Sequence, residues 1–230
     1  MADKNAEKLK NYDTILWDLD GTLLYTLDDL AAAVNAALAE FDLPARTTDE
    51  VERFVGNGIR KLMERAVPSG ANHPKFAEIF AFFRSYYEEH CNCHTRPFEG
   101  VTDLLCRLQS EGWRMAVVSN KIDSAVQDLV RLYFPDIIAA AVGDNAERRK
   151  KPEPDNLFYA CEKLGSDIKR AVFVGDSHVD VMTAQKAAIP MVIVDWGYRS
   201  REQLIADGAE NIVSTVDELY EVLTGFNKDE

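Results

Sequence analysis

The sequence contains few cysteines and no long run of apolar residues. Four cysteines in 230 residues are too few for a disulfide scaffold in a chain of this size, so free thiols are expected. The longest aliphatic run, residues 137–142, is far shorter than the ~20 apolar residues that span a bilayer. The first eight residues also lack the apolar core of a signal peptide. These absences argue against secretion and favour a cytoplasmic location.

Basic residues are scarce relative to acidic ones. The chain has 26 lysines and arginines against 39 aspartates and glutamates, a net charge of −13. Nucleic acids and anionic membranes both bind a positively charged face, so neither is expected as a main partner. A small anionic substrate remains compatible with this charge because it requires only a local cluster of cations.

Short apolar segments alternate with amphipathic ones along most of the chain. Strands are predicted at residues 14–17, 115–118, 137–142, 171–174 and 191–194. Helices are predicted at residues 101–109, 124–132, 154–164 and 216–223, with another that follows residue 174 and runs through 184. This alternation predicts a doubly wound, parallel α/β sheet covered by helices on both faces.

Residues 26–95 depart from this alternation, because their pattern predicts helices alone. The predicted helices are at residues 27–41, 49–54, 59–67 and 74–90. Since this region directly follows the first strand, we interpret it as a helical cap inserted into the sheet domain. The predicted division is a core domain of residues 1–24 and 96–230 and a cap domain of residues 25–95. The charged ends, residues 1–10 and 227–230, are expected to fray.

Acidic pairs follow two of the predicted strands. Asp18 and Asp20 come after the first strand and lie on the same side of an extended chain. Asp176 and Asp180 follow the strand at residues 171–174. Neighbouring carboxylates repel each other unless a cation lies between them or one is protonated, and such oxygen ligands suit Mg²⁺. Helix capping is the alternative role, but it accounts poorly for acidic pairs at two strand ends.

Two further segments carry groups that suit a phosphoryl oxygen. Ser119 and Asn120 follow the second core strand and precede a predicted helix N-terminus, where anions bind. Lys151 precedes another helix, and Pro152 restricts the direction of its backbone. Each signal is weak alone, because Ser and Asn often cap helices and Lys151 could belong to a solvated basic loop.

Together, the four segments resemble the motifs of the haloacid dehalogenase superfamily of phosphohydrolases. The matching segments are Asp18-Leu19-Asp20-Gly21-Thr22, Ser119, Lys151 and Gly175-Asp176-Ser177-His178-Val179-Asp180. The resemblance covers nearly the whole chain, including a helical cap after the first motif. Within the superfamily, Val55-Gly56-Asn57-Gly58 and Arg96-Pro97-Phe98-Glu99-Gly100-Val101 resemble the phosphoglycolate phosphatase-like group. Members often have an acidic residue where this chain has Tyr25, a difference that bears on cap movement or specificity.

The resemblance implies a Rossmann-like core and a role for each motif. Asp18 would be the nucleophile that forms an aspartyl-phosphate, and Asp20 the general acid and base. Ser119 and Lys151 would bind the transferring phosphoryl group. The implied Mg²⁺ ligands are Asp18, the backbone carbonyl of Asp20, and Asp176, with Asp180 as a ligand or a supporting residue.

The resemblance also suggests residues that would bind the substrate. These residues are Thr22, Gly56, Asn57, Gly58, Arg60 and Asn120. Arg60 is the candidate cation for an acidic leaving group such as a carboxylate, although it could equally be a solvated helix residue. Thr22 would also help to fix the turn after the first strand.

Two other features suggest sites but have simpler explanations. The segment His90-Cys91-Asn92-Cys93-His94 contains zinc-binding residue types. It lacks a second ligand pair, however, and a structural role is favoured. The aromatic stripe of Phe76, Phe80, Phe83 and Tyr87 is typical of packing within a cap.

The sequence therefore predicts a Mg²⁺-dependent phosphatase that acts on a small phosphorylated metabolite, with 2-phosphoglycolate as the best single candidate. The expected protein is a monomer or a homodimer with no nucleic-acid or membrane partner. Two enzymatic alternatives are a phosphomutase (like β-phosphoglucomutase) and a pyrophosphatase. A non-enzymatic alternative is a phospho-acceptor like the receiver domain of two-component signalling. The large helical insertion weighs against it, because a receiver is compact and has no cap.

Overall fold

The computed structural model describes residues 12–226, which form a central sheet, flanking helices and a helical insertion. In chain order the strands and α-helices are β1 (Thr14–Trp17), β2 (Leu24–Tyr25), α1 (Leu27–Glu40), α2 (Thr48–Phe54), α3 (Ile59–Ala66), α4 (Phe76–His90), β3 (Arg96–Pro97), α5 (Val101–Ser110), β4 (Arg114–Ile122), α6 (Asp123–Tyr133), β5 (Ala140–Asp144), α7 (Asp155–Leu164), β6 (Ala171–Gly175), α8 (His178–Ala187), β7 (Met191–Val194), α9 (Arg201–Ala206), β8 (Ile212–Val213) and α10 (Val216–Gly225). Short 3₁₀ helices cover Gly70–Asn72 and Ile168–Arg170. The predicted fraying concerns residues outside the described range.

The main sheet has six strands in the order β5-β4-β1-β6-β7-β8. All neighbouring strands in it are parallel. Strands β1, β6 and β7 are buried along their whole length, as expected of strands covered by helices on both faces. The predicted doubly wound α/β fold is therefore confirmed.

The observed elements differ from the predicted ones at several boundaries. Strand β4 continues to Ile122 rather than ending at residue 118, so Ser119, Asn120 and Lys121 belong to the strand. Strand β5 begins at Ala140 rather than at residue 137, because the chain first turns after Phe134. Apolar composition alone did not distinguish that turn from a strand. The short elements β2, β3, β8 and α9 lie in segments for which the sequence analysis predicted no helix or strand.

Strand β1 lies at the point where the order of the sheet reverses. From β1 the chain builds β4 and β5 on one side and then β6, β7 and β8 on the other. The chain therefore leaves a crevice above the carboxyl ends of β1, β4 and β6, where ligands bind in folds of this type.

Helices α1 to α4, here called the cap helices, have an apolar cluster of their own. Its buried members are Leu27, Leu30, Ala31, Ala33, Val34, Ala37, Leu38, Val51, Leu62, Met63, Ala66, Val67, Phe76, Ile79, Phe83 and Tyr87, together with Tyr198 from the sheet side. The aromatic stripe of α4 thus packs within the cap helices, as predicted. None of the helices in residues 12–226 has the length and apolar character needed to cross a membrane.

The cap helices join the sheet through a two-strand antiparallel ribbon. In this ribbon Leu24 of β2 pairs with Pro97 of β3, and Tyr25 pairs with Arg96. The guanidinium carbon of Arg96 lies 4.3 Å from the centre of the Tyr25 ring. The predicted boundaries, 24/25 and 95/96, fall at this ribbon, and we propose it as the connection between two domains.

A buried carboxylate holds the two connecting segments together. Asp29, which is 2% exposed, accepts hydrogen bonds from the backbone amides of His94 and Thr95, at 2.9 Å each. The Thr95 hydroxyl donates another at 2.7 Å. Since a buried carboxylate is costly unless its oxygens are paired, these bonds fix the start of α1 against the chain that returns to the sheet.

Candidate active site

A cavity lies between the carboxyl edge of the sheet and the cap helices. Its lining residues from the sheet side are Asp18, Asp20, Ser119, Asn120, Lys121, Lys151, Asp176, Ser177, Tyr198 and Arg199, and those from the cap side are Leu30, Val55, Gly56, Gly58, Ile59, Leu62 and Tyr87. The cavity thus combines a polar floor from strand ends with a largely apolar roof. Six residues predicted for the site, far apart in the sequence, meet on that floor.

Three carboxylates converge at the floor, where Asp18 and Asp176 line the cavity and Asp180 is fully buried. Asp18 follows β1, Asp176 follows β6 and Asp180 lies in the first turn of α8. One oxygen of each lies within 4.8 Å of the others, and in residues 12–226 this is the only such group of three or more potential metal ligands among His, Cys, Asp and Glu. The segment from His90 to His94 forms no comparable group. The carboxylate group therefore fits a hard divalent cation.

The electrostatics of these carboxylates favour a bound cation. Burial raises the pKa of the Asp18 carboxyl well above its usual range, and the Asp180 and Asp176 carboxylates add to the rise although Lys151 opposes it. Burial and the Asp180 carboxylate likewise raise the pKa of Asp176. A positive charge between them would relieve this repulsion and keep the carboxylates ionised.

Lys151 lies between two of the three carboxylates. Its ammonium nitrogen is 2.8 Å from Asp18 Oδ1 and 2.7 Å from Asp180 Oδ1. Burial alone would lower the pKa of Lys151, but Asp18 and Asp180 raise it above its usual value. The side chain therefore stays charged and offsets part of the negative charge of the floor.

Asp180 uses both of its oxygens within the protein. While Oδ1 accepts from Lys151, Oδ2 accepts from the Ser177 hydroxyl at 2.6 Å and from the Ser177 amide at 3.1 Å. Ser177 and Asp180 form a capping box at the start of α8. This carboxylate consequently orients Lys151 and the loop that carries Asp176.

Two glycines make room for Asp176. A Cβ added to Gly21, where φ is +90°, would lie 2.2 Å from Asp176 Oδ2. A Cβ added to Gly197 would lie 2.4 Å from the same oxygen. The next residue, Tyr198, donates its backbone amide to Asp176 Oδ2 at 2.9 Å. The loop after β7 thus holds the carboxylate from one side, and a side chain at Gly197 would require the loop or Asp176 to shift.

The Asp20 carboxylate points away from the three-carboxylate group. Its Oδ1 accepts a hydrogen bond from Lys121 Nζ at 2.9 Å, and its Oδ2 lies 3.4 Å from the Ser119 hydroxyl. Lys121 also donates to the hydroxyl of Tyr87, which comes from α4. Asp20 therefore faces the part of the cavity that the cap helices cover.

Lys121 received no role in the sequence analysis. Its side chain is 3% exposed, and it lies two positions after Ser119, on the same side of β4. The available signal was a lysine directly after the Ser119-Asn120 pair. That signal was missed because the predicted strand ended at residue 118, which left Lys121 in a loop.

Asn120 and two glycines lie where the sequence analysis expected substrate contacts. The Asn120 amide donates to the Lys151 carbonyl at 3.0 Å, while its buried Oδ1 has no hydrogen-bond partner in the described chain. Gly56 and Gly58 line the opposite side of the cavity, before α3. Their φ angles, +113° and +85°, lie in the region that favours glycine.

Three other predicted substrate-binding residues lie outside the cavity lining. Thr22 is 1% exposed and packs beneath the first loop, where its carbonyl accepts from the Trp196 indole. The Asn57 side chain accepts from Arg65 at 2.7 Å. The side chain of Arg60 is 61% exposed and pairs with Glu64 at 3.2 Å. Arg60 therefore points to the other side of α3, a direction that the local sequence did not reveal.

Arg199 is a cavity cation that the sequence analysis did not identify. It follows β7 and donates to the backbone carbonyls of Glu52, at 3.1 Å, and Val55, at the C-terminal end of α2. Because these carbonyls form the negative end of a helix dipole, Arg199 ties the sheet to the cap helices. The available signal in the sequence was an arginine in the segment that follows the predicted strand at residues 191–194.

We predict that Gly197→Ala lowers the free energy of unfolding by about 1–3 kcal/mol, because the new methyl group would overlap Asp176. Gly225→Ala is the matched control, since a Cβ there would meet no atom within 4 Å, and it should cause no loss. Urea denaturation followed by circular dichroism measures both. Equal stability of the two variants would show that the loop after β7 can move away from Asp176.

Comparisons with known proteins identify the family. Residues 15–194 match the model of the haloacid dehalogenase-like hydrolases. A phosphoglycolate phosphatase of Neisseria meningitidis is 32% identical over 223 residues, which cover 94% of this chain and 95% of the relative. A phosphoglycolate phosphatase of Mesorhizobium japonicum is 35% identical over 191 residues, which cover 81% of this chain and 84% of the relative.

A solved structure agrees with these relatives. A protein of Lactobacillus delbrueckii subsp. bulgaricus, provisionally assigned as a phosphoglycolate phosphatase, superposes with a TM-score of 0.88 at 31% identity. The match covers 93% of this chain and 98% of that protein. The chain therefore belongs to the haloacid dehalogenase-like hydrolase family, and it is a phosphatase of that family.

Proposed function

We propose that this phosphatase hydrolyses a small phosphomonoester through an aspartyl-phosphate on Asp18, with 2-phosphoglycolate as the preferred substrate. One observation carries the proposal. Asp18 belongs to the three-carboxylate group and also contacts a cation, Lys151, while a further carboxylate, Asp20, faces the roofed part of the same cavity. A nucleophile and a separate acid–base group are the two parts that this hydrolysis requires.

Asp18 and Asp20 have different roles in the reaction, the first as nucleophile and the second as general acid and base. A carboxylate oxygen of Asp18 attacks phosphorus, the bond from phosphorus to the ester oxygen breaks, and Asp20 donates its proton to that oxygen. A water molecule then attacks the phosphorus of the aspartyl-phosphate. Asp20 takes a proton from this water, the bond to Asp18 breaks, and inorganic phosphate leaves. Each cycle thus restores both side chains.

We assign three neighbouring groups to the binding of the transferring phosphoryl group. The Ser119 hydroxyl and the Asn120 side chain lie on the floor of the cavity, beside Asp18 and Asp20. Lys151 contacts Asp18 directly, so its charge also faces a phosphoryl group at that carboxylate. Positioning and charge compensation of this kind supply most of the rate enhancement in phosphoryl transfer.

The carboxylates fit Mg²⁺, a hard ion that binds oxygen ligands. We assign Asp18, Asp176 and the backbone carbonyl of Asp20 as the protein ligands. Since both oxygens of Asp180 accept hydrogen bonds from the protein, we assign Asp180 the supporting position rather than direct coordination. When bound, Mg²⁺ would reduce the repulsion between an anionic nucleophile and an anionic phosphoryl group.

The substrate assignment rests on the relatives and on the cavity. Two relatives named phosphoglycolate phosphatase align with 81% or more of this chain. The cap helices roof the cavity with Leu30, Ile59 and Leu62, which exclude water from the reacting groups. A cytoplasmic location and a monomeric or homodimeric state remain predictions from the sequence.

The first prediction of this mechanism concerns the nucleophile. Asp18→Asn should lower kcat for p-nitrophenyl phosphate by at least about 10³-fold, because an amide does not form the phosphorylated intermediate. Asp195→Asn is the matched control. Asp195 also follows a core strand, but it binds Arg201 at 2.7 Å outside the cavity, and its variant should remain active. Activity of a folded Asp18→Asn protein near the wild-type level would rule out this nucleophile.

The second prediction concerns the metal. EDTA should abolish phosphate release and added Mg²⁺ should restore it. Calorimetric titration of Mg²⁺ should detect binding to the metal-free wild type and a loss of at least about tenfold in affinity for Asp176→Asn, which removes one charged ligand. Asp195→Asn should bind like the wild type. Hydrolysis that resists the chelator would contradict the metal assignment.

The third prediction concerns the substrate. Release of inorganic phosphate should be at least about tenfold more efficient, in kcat/KM, for 2-phosphoglycolate than for glucose 6-phosphate, AMP or pyrophosphate, because a small roofed cavity favours a short leaving group. A higher efficiency for pyrophosphate would identify the alternative hydrolase. Isomerisation of a sugar phosphate that depends on a bisphosphate activator would identify a phosphomutase.

A further inference from the structure

The side of the cavity that receives the leaving group can be located from Asp20. If the proposed function holds, Asp20 protonates the ester oxygen, so the rest of the leaving group lies beyond Asp20, towards the cap helices. The neighbours of Asp20 on that side are Lys121, at 2.9 Å, and then Tyr87, which Lys121 contacts. These two residues therefore lie on the side of the cavity that the leaving group would occupy.

Lys121 is a charged donor with capacity for another ligand. Its ammonium nitrogen lies 2.9 Å from Asp20 Oδ1, and its side chain is 3% exposed. Asp20 and Tyr87 take two of its three N–H donors. The third is available within a cavity whose roof is apolar.

Tyr87 supplies a second donor from the cap helices. Its hydroxyl oxygen accepts from Lys121, which leaves the hydroxyl proton available for a ligand. Burial raises the pKa of this phenol, and the proton is therefore retained at neutral pH. Around the pair, Leu30 and Leu62 line the same cavity. Apolar surroundings strengthen a contact between charged groups, and they penalise a ligand that leaves the third N–H of the ammonium without a partner.

We propose that Lys121 and Tyr87 are the residues that recognise the leaving-group carboxylate of 2-phosphoglycolate and of similar esters. In such esters one carbon separates the ester oxygen from the carboxylate. A carboxylate in that position lies within reach of an ammonium that already contacts Asp20. The structure assigns this role to Lys121 instead of Arg60, whose side chain is 61% exposed.

The test compares two esters that differ in the charge of the leaving group. The substrates are 2-phosphoglycolate and 2-hydroxyethyl phosphate, which has a hydroxymethyl group in place of the carboxylate. Lys121→Met should raise KM for 2-phosphoglycolate at least about tenfold more than KM for 2-hydroxyethyl phosphate, because it removes a charge-assisted contact to one substrate only. Lys121→Arg should restore part of this difference.

Two control variants isolate the effect. Lys61→Met removes a lysine from the cap helices that is 59% exposed and bound to Glu64, and Arg60→Ala removes the competing candidate cation. Both should leave the ratio of the two KM values unchanged. Tyr87→Phe retains Lys121 and the aromatic ring, and it should raise KM for 2-phosphoglycolate about threefold to tenfold, the effect of one hydrogen bond to a charged group.

The possible outcomes separate recognition from catalysis. Equal changes in KM for both esters, with kcat reduced alike, would show that Lys121 only positions Asp20 and would overturn the proposal. If Lys121→Met does not fold, Tyr87→Phe decides the question, and an unchanged ratio of the two KM values in that variant would overturn the proposal. If the wild type hydrolyses neither ester nor p-nitrophenyl phosphate, the proposed function itself has failed.

Discussion

The site depends on one buried interaction, the contact of the Lys151 ammonium with two carboxylates. Asp18 follows β1, Asp180 begins α8 and Lys151 precedes α7, so three separate segments meet at one charge. Buried charges are stable only when they are paired and hydrogen-bonded. Since Asp180 binds the loop that carries Asp176, the same interaction also places the last carboxylate. The glycines at positions 21 and 197 complete the arrangement, because larger residues would overlap Asp176.

The cap helices supply the apolar part of the cavity, which the sheet does not provide. The floor of the cavity supplies charge, whereas Leu30, Ile59 and Leu62 supply an apolar roof that lowers the local dielectric and strengthens every charged contact below it. Among the contacts that join roof and floor, Arg199 binds carbonyl groups at the end of α2, and Lys121 binds Tyr87 of α4. The position of the cap helices is therefore coupled to the residue that contacts Asp20.

The grouping of residues on the cavity floor was predictable from the sequence because of a property of parallel sheets. Residues at the carboxyl ends of neighbouring strands share one edge whatever the length of chain between them. Hence Asp18, Asp20, Ser119, Lys151 and Asp176 could be assigned to a single site from motifs alone. Apolar strands alternating with helices likewise determined the fold class, since few arrangements bury such segments on both faces.

Only the tertiary structure decided which groups complete the cavity from the cap side. Arg60 and Tyr87 both lie on amphipathic helices, and the sequence does not state which side of an inserted helix faces the sheet. The packing of the cap helices turns Tyr87 inwards and leaves Arg60 in solvent. Lys121 was missed for a related reason. The extent of β4 is determined by pairing with neighbouring strands, a long-range interaction that a local apolar pattern does not encode.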